Sequence, residues 1–208
     1  MKLAETPRTT YDAFYSKKGV SLKTLIDIIT NGVTLPNGKV VKVDQKWTTE
    51  QFVAAVVRTA CTPLKAAFVD VLPAECVSEE DYACVFVSHA WAYNFADLVD
   101  DLAQTYPADD THVWLDFCCV KQPPDLSGDS AWFSEGLHVL IASCRLGVCI
   151  RIDSWANPLP LTRIWCVWEL FGVARAAGDS KKPLRIALGP RERSEFVKTL
   201  TNDFSRAS

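Results

Sequence analysis

The chain has no apolar run long enough to span a bilayer, no secretory leader, no basic tract and few histidines, and each absence removes a class of function. The longest apolar candidate, Val139 to Ile152, is interrupted by Arg145 and falls short of the roughly 20 residues a membrane helix needs. Met1 to Tyr15 carries charges, a proline and polar residues where a leader would carry an apolar core, so a cytoplasmic protein is expected. Lys and Arg form no run and the formal net charge is -3, which argues against a general nucleic-acid binder. Only His89, His112 and His138 are present, at no ligand spacing, and no Cys-x-x-Cys pair occurs, so no metal site is expected. Gly-x-Gly-x-x-Gly and Gly-x-x-x-x-Gly-Lys-Ser/Thr are absent, leaving a Rossmann dinucleotide site and a P-loop without support. Without Gly-x-Ser-x-Gly there is no hydrolase nucleophile elbow either.

What remains is an ordinary globular composition. The 208 residues are 49% hydrophobic and 23% charged, enough for one domain, or one domain with an appendage. Cys84, Cys149 and Cys166 sit inside apolar runs. The 8 cysteines therefore read as small buried hydrophobes in a reducing compartment.

Two regions follow each other along the chain. In residues 1–80, Ser21 is placed to cap a helix with Leu22, Leu25, Ile26 and Ile29 on one face, stopped by Gly32. Val33-Thr34-Leu35 and Lys39-Val40-Val41 flank Pro36-Asn37-Gly38 as a small hairpin. Thr48-Thr49-Glu50-Gln51 is a capping box before Phe52, Val53, Val56 and Val57. Thr62-Pro63 ends that helix and starts another through Leu72. After the polar junction at Ser78 to Asp81 the pattern alternates. Apolar strands are predicted at Ala83–Val87, Val113–Leu115, Leu146–Ile152 and Pro183–Leu188. Between and after them lie helices marked by Phe95, Leu98, Val99 and Leu102; by Trp132, Phe133, Leu137, Leu140 and Ile141; by Leu161–Ala177, ended by Gly178; and by Glu192–Leu200. This alternation predicts an α/β fold, a parallel sheet of about five strands with helices on both faces. Ligands in such sheets bind at the carboxyl ends of the strands, where the strand order reverses.

The residues after the strands are therefore the candidates. Ser88-His89-Ala90-Trp91 follows the first strand, Asp116-Phe117-Cys118-Cys119 the second, and Asp153-Ser154-Trp155 the third, leading to Arg163-Ile164-Trp165-Cys166-Val167-Trp168-Glu169-Leu170. Ser88 and His89 are adjacent on an extended strand and point to opposite faces, which rules against a Ser-His pair. Trp165 and Glu169, four apart, share a helix face. Two readings of Glu169 stand: a salt bridge with Arg163 or Arg175 on a solvated helix, or a carboxylate in a tryptophan-walled pocket. Asp116 reads equally as a site carboxylate or as the cap of the next loop.

Together these residues resemble a Toll/interleukin-1 receptor (TIR) domain over roughly Asp81 to Leu200. Val85-Phe86-Val87-Ser88-His89 is similar to the family's opening strand, Trp114-Leu115-Asp116 to its second, and Leu137 to Ser143 to the helix before its third. Trp165-Cys166-Val167-Trp168-Glu169-Leu170 is similar to its Trp-Cys-x-x-Glu-Leu stretch. The Ser-His-x-Trp sequence and the segment Trp47 to Leu72 resemble the divergent TIR-like modules of protists and algae. The resemblance implies a flavodoxin-like domain over 81–208, with 1–80 as a mainly helical extension. It also implies one of two functions, in signalling or defence. One is hydrolysis of NAD+ at the nicotinamide–ribose bond, giving nicotinamide and ADP-ribose or its cyclic form. The other is a non-catalytic scaffold acting by TIR-to-TIR self-association. In the enzymatic reading Glu169 is the catalytic residue. Ser88, His89, Trp91, Asp116, Trp155, Arg163 and Trp165 line the substrate crevice, and no cofactor or metal is needed.

Overall fold

Short polar side chains start the first helices. The computed structural model describes residues 1–5, 15–79, 84–107, 110–121, 136–176 and 183–207. In it, Ser21 Oγ accepts from Thr24 N at 3.1 Å and opens α1 (Leu22–Asn31). The helix ends at Gly32, whose φ is 78° and where a Cβ would stand 2.6 Å from Val41 O, so the turn and the close approach both require glycine. The buried arc of α1 is Leu22, Leu25 and Ile28, while Ile26 is exposed. The expected face is thus rotated, because the core lies nearer Leu25 and Ile28 than the Leu22–Ile26 row. The hairpin forms as β2 (Val33–Thr34) and β3 (Val40–Val41).

Thr48 and Gln51 close the capping box reciprocally, at 3.2 and 2.9 Å. They open α2 (Thr49–Phe52), which continues through a π turn, Val53–Val57, into α3 (Arg58–Cys61). Phe52, Val53, Val56 and Val57 are fully buried. The single helix expected from Pro63 to Leu72 is instead a 3-10 turn, Thr62–Leu64, and a short α4 (Phe68–Val71). Lys65 between them is left-handed, which no continuous helix admits.

The main sheet has five strands: β1 (Val20–Ser21), β4 (Val85–Ser88), β5 (His112–Trp114), β6 (Val148–Arg151) and β7 (Leu184–Ala187), ordered β1-β5-β4-β6-β7. The four predicted strands are parallel to one another. β1 adds an antiparallel edge, Val20 opposite Val113. β4 and β6 are buried throughout, as apolar strands covered on both faces must be. α5 (Phe95–Thr105) follows β4, and α6 (Asp116–Cys119) follows β5. α7 (Leu137–Ser143) precedes β6, α8 (Ile164–Ala176) follows it, and α9 (Pro190–Ala207) follows β7. α1 packs on α5, and α7 on α8. The expected residues Glu80, Asp81, Ala83, Trp132, Phe133, Ala177 and Gly178 lie outside the described ones. Among the described residues no helix is long and apolar enough to cross a membrane.

One hydrophobic cluster runs from Leu3 through Phe52, Phe95 and Phe117 to Ala187. Phe52 stacks on Phe95 at 4.0 Å and meets Phe117 edge-on at 6.0 Å. The described residues among the first 77 and the sheet therefore share a core. The chain passes from β4 to β5 on one side and returns to β6 on the other. The strand order reverses at β4 and β6, whose carboxyl ends carry Ser88 and Arg151.

Candidate functional site at the carboxyl ends of the first and third parallel strands

Glu169 stands in the second turn of α8 and is 4% exposed. It makes no ion pair with Arg163, and its Oε2 is a buried oxygen without a hydrogen-bond partner. Burial pushes its carboxyl up to about 8; the Ser88 hydroxyl and the Arg163 charge pull it down, and Asp116 pushes it further up. An acid this far from its ordinary value, at the carboxyl edge of a parallel sheet, is a candidate functional group.

Ser88 closes β4 beside Glu169 and Cys166. It is 1% exposed, and its Oγ too lacks a partner at hydrogen-bonding geometry. The Cys166 thiol donates to His89 O at 3.6 Å, which ties α8 to the end of β4. His89 follows the last residue of β4, and its ring meets Phe117 edge-on at 5.7 Å. Burial lowers its imidazole to about 4, against the raising influence of Asp116, with Arg151 and Arg163 lowering it as well. It is neutral, and its buried Nε2 has no partner.

Asp116 opens α6, accepts from Phe117 N at 2.7 Å, and takes the Trp91 indole N–H on both oxygens, at 2.9 and 3.1 Å. It is a latch for the loop after β4, while α6 itself, entered from Leu115, has no side-chain cap. Arg163 is exposed just before α8, and Trp165 is half-buried one turn before Glu169. Trp155 stands apart from this group. Its backbone N–H donates to Glu192 Oε2 at 3.1 Å, its ring lies 5.7 Å from that of Phe196, and it packs with Ile150, Ile152 and Leu188.

A second polar group at this edge escaped the sequence reading. Arg151 is buried at the end of β6, with Nε 3.1 Å from Asp101 Oδ2 and Nη1 2.6 Å from Asp153 Oδ1. Its guanidinium lies 4.8 Å from the Tyr93 ring centroid. Burial raises the Asp101 carboxyl, and the neighbouring guanidinium opposes that rise. The one available signal was an arginine inside an otherwise apolar strand, a position charge occupies only when paired. Among the described residues no cluster of three or more His, Cys, Asp or Glu is arranged to hold a metal.

Comparison with protein-family models, curated proteins and solved structures finds no match. The site is read from its own geometry.

Proposed function

We propose that the chain is a TIR-like protein with a flavodoxin-like domain that hydrolyses NAD+ at the nicotinamide–ribose bond. The observation that carries this reading is the Glu169 carboxyl, buried with an unpartnered oxygen at the edge where the strand order reverses. Buried polar groups are almost always satisfied; one that is not is suited to a ligand that satisfies it.

The reaction breaks the bond between the ribose anomeric carbon and the pyridinium nitrogen. The electron pair leaves with nicotinamide, which departs neutral and needs no general acid. Positive charge develops on the ribose, as in glycoside hydrolysis. Glu169 is mostly protonated near neutral pH; the cationic nicotinamide ribose favours its ionised form, which then stabilises the ribosyl cation across a short, low-polarity gap. Water adds to the anomeric carbon and releases a proton, giving ADP-ribose; attack by an adenine nitrogen gives the cyclic product. Trp165 lowers the polarity beside Glu169. Trp91, oriented by its bonds to Asp116, offers a planar wall for nicotinamide, and Ser88 and His89 offer unpartnered polar atoms for the sugar. Arg163, exposed at the mouth, suits the diphosphate.

The test is nicotinamide release from NAD+ by the wild type and by Glu169→Ala, at high protein concentration with a crowding agent. Release abolished in the variant supports the assignment.

A second reading, a scaffold acting by self-association, is favoured by a different observation. Ile164 is 84% exposed, and Val167 and Phe171 follow it at helical spacing on the surface of α8; Val139 is exposed on α7, which packs on α8. Contiguous exposed apolar side chains of this kind mark interaction surfaces. Absence of release from folded, assembled wild type would establish this reading over the enzymatic one.

A further inference from the structure

A helix leaves its first backbone N–H groups without intrahelical partners, so the partners α2 finds show what it is for. Gln51 N uses the Thr48 hydroxyl. The other two reach across to the loop after β4: Thr49 N donates to Tyr93 O at 2.9 Å and Glu50 N to Trp91 O at 3.0 Å. The same loop is held on either side of these bonds. Asn94 Nδ2 donates to Gln45 O at 2.7 Å, and Phe95 N donates to Trp47 O at 2.9 Å. The two residues whose carbonyls α2 grips are the two whose side chains face the polar edge. Trp91 latches Asp116, and Tyr93 lies against the Arg151 guanidinium.

We infer that the N-terminus of α2, residues 45–50, is a positioning element of the candidate site, fixing the backbone of Trp91 and Tyr93 and thereby the Trp91–Asp116 latch. The first region of the chain is then part of the site rather than an attachment to it. The latch geometry needs no assumption about the reaction; only the consequence for turnover rests on the NAD+ reading. Backbone carbonyls held by rigid helix N–H groups fix a loop more tightly than side-chain contacts do, because no rotamer freedom remains.

Thr49→Pro tests this in the full-length chain. Position 49 is the first of the helix and Thr48 is extended, φ -70° and ψ 162°, so proline fits there sterically while deleting the N–H that holds Tyr93 O. Thr49→Val keeps that N–H and removes only the hydroxyl, whose own bond to Tyr93 O is the longer at 3.4 Å. The readout is the exchange rate of the Trp91 indole proton by NMR, assigned by Trp91→Phe. Thr49→Pro is expected to speed exchange roughly tenfold, as loss of a buried backbone hydrogen bond implies, with Thr49→Val at the wild-type rate. If Thr49→Pro does not fold, Asn94→Asp replaces it. That variant keeps the cap on α5 and loses the donor to Gln45 O, and a smaller acceleration in the same direction is expected. An unchanged indole rate in the folded variant overturns the inference. With NAD+, positioning predicts that kcat falls more than KM changes. Absence of wild-type turnover would remove the reaction and leave the indole result to judge the latch.

Discussion

The buried polar groups of residues 16–78 and three of those at the carboxyl edge of the sheet are treated in opposite ways. In the first region Ser21 bonds Thr24, Thr49 bonds Tyr93 O, Asp70 accepts from Ala67 N, and Ser78 accepts from Gly19 N. At the edge, Ser88 Oγ, His89 Nε2 and Glu169 Oε2 are equally buried and have no partner. Both regions share one apolar core, so the contrast is not one of packing quality. Satisfied groups cap helices and hold register; unsatisfied ones cost stability and persist where something else retains them.

The strongest way to sharpen this contrast is Glu169→Gln. It keeps the shape and removes the charge, so NAD+ turnover should fall at least about a hundredfold. Stability should move the other way. With its carboxyl raised to about 8, the folded state keeps a proton that the unfolded chain gives up above its ordinary value near 4.5. Wild-type stability therefore declines as pH rises from about 4.5 to about 8, and Glu169→Gln should lack that decline. Urea midpoints across this range check it. The same ionisation requires kcat/KM to climb with pH and level off above about 8. A variant that lost stability and kept turnover would break the contrast.

Asp70→Ala is the next largest effect and belongs to the other region. It strips the acceptor from a buried N–H and should cost about 1–3 kcal/mol of unfolding free energy, with kcat unchanged. Ser21→Ala removes a cap with no link to the edge and should cost about 1 kcal/mol. Denaturant titration measures both. Ser88→Ala is the smallest, because its hydroxyl reaches no partner at hydrogen-bonding geometry and acts on the Glu169 carboxyl only as a nearby dipole; little loss of stability is expected, while KM for NAD+ should rise. A large destabilisation would show that Ser88 is held as the first-region serines are.

Much of the frame was legible because it rests on local rules. Ser21 and the Thr48–Gln51 box sit where their side chains can reach orphan N–H groups, and both caps form. The apolar runs at Val85, Val113, Val148 and Leu184 could bury both faces, and all four became parallel strands. The failures were tertiary. The arc of α1 was drawn from spacing, but Ile26 and Ile28 are separated only by where the core lies. β1 is two residues long, too short for any period, and exists because Val20 finds Val113. At the edge, that Trp165 and Glu169 share one face of α8 was readable from their spacing. That Asp116 would latch Trp91, or that Arg151 would lie between Asp101 and Asp153, was not.

By itself the sequence determined the caps at Ser21 and Thr48, the four apolar runs that become parallel strands, and that Glu169 and Trp165 share a face of one helix, since these depend on side chains within about a turn of each other. Only the tertiary structure decided that one oxygen of Glu169 is buried without a partner, that its carboxyl is raised, and that the first region grips the loop carrying Trp91. Burial and hydrogen-bond satisfaction are properties of what surrounds a group. For Glu169 and Trp91 the surroundings come from α8, β4, α6 and α2, elements that only folding brings together.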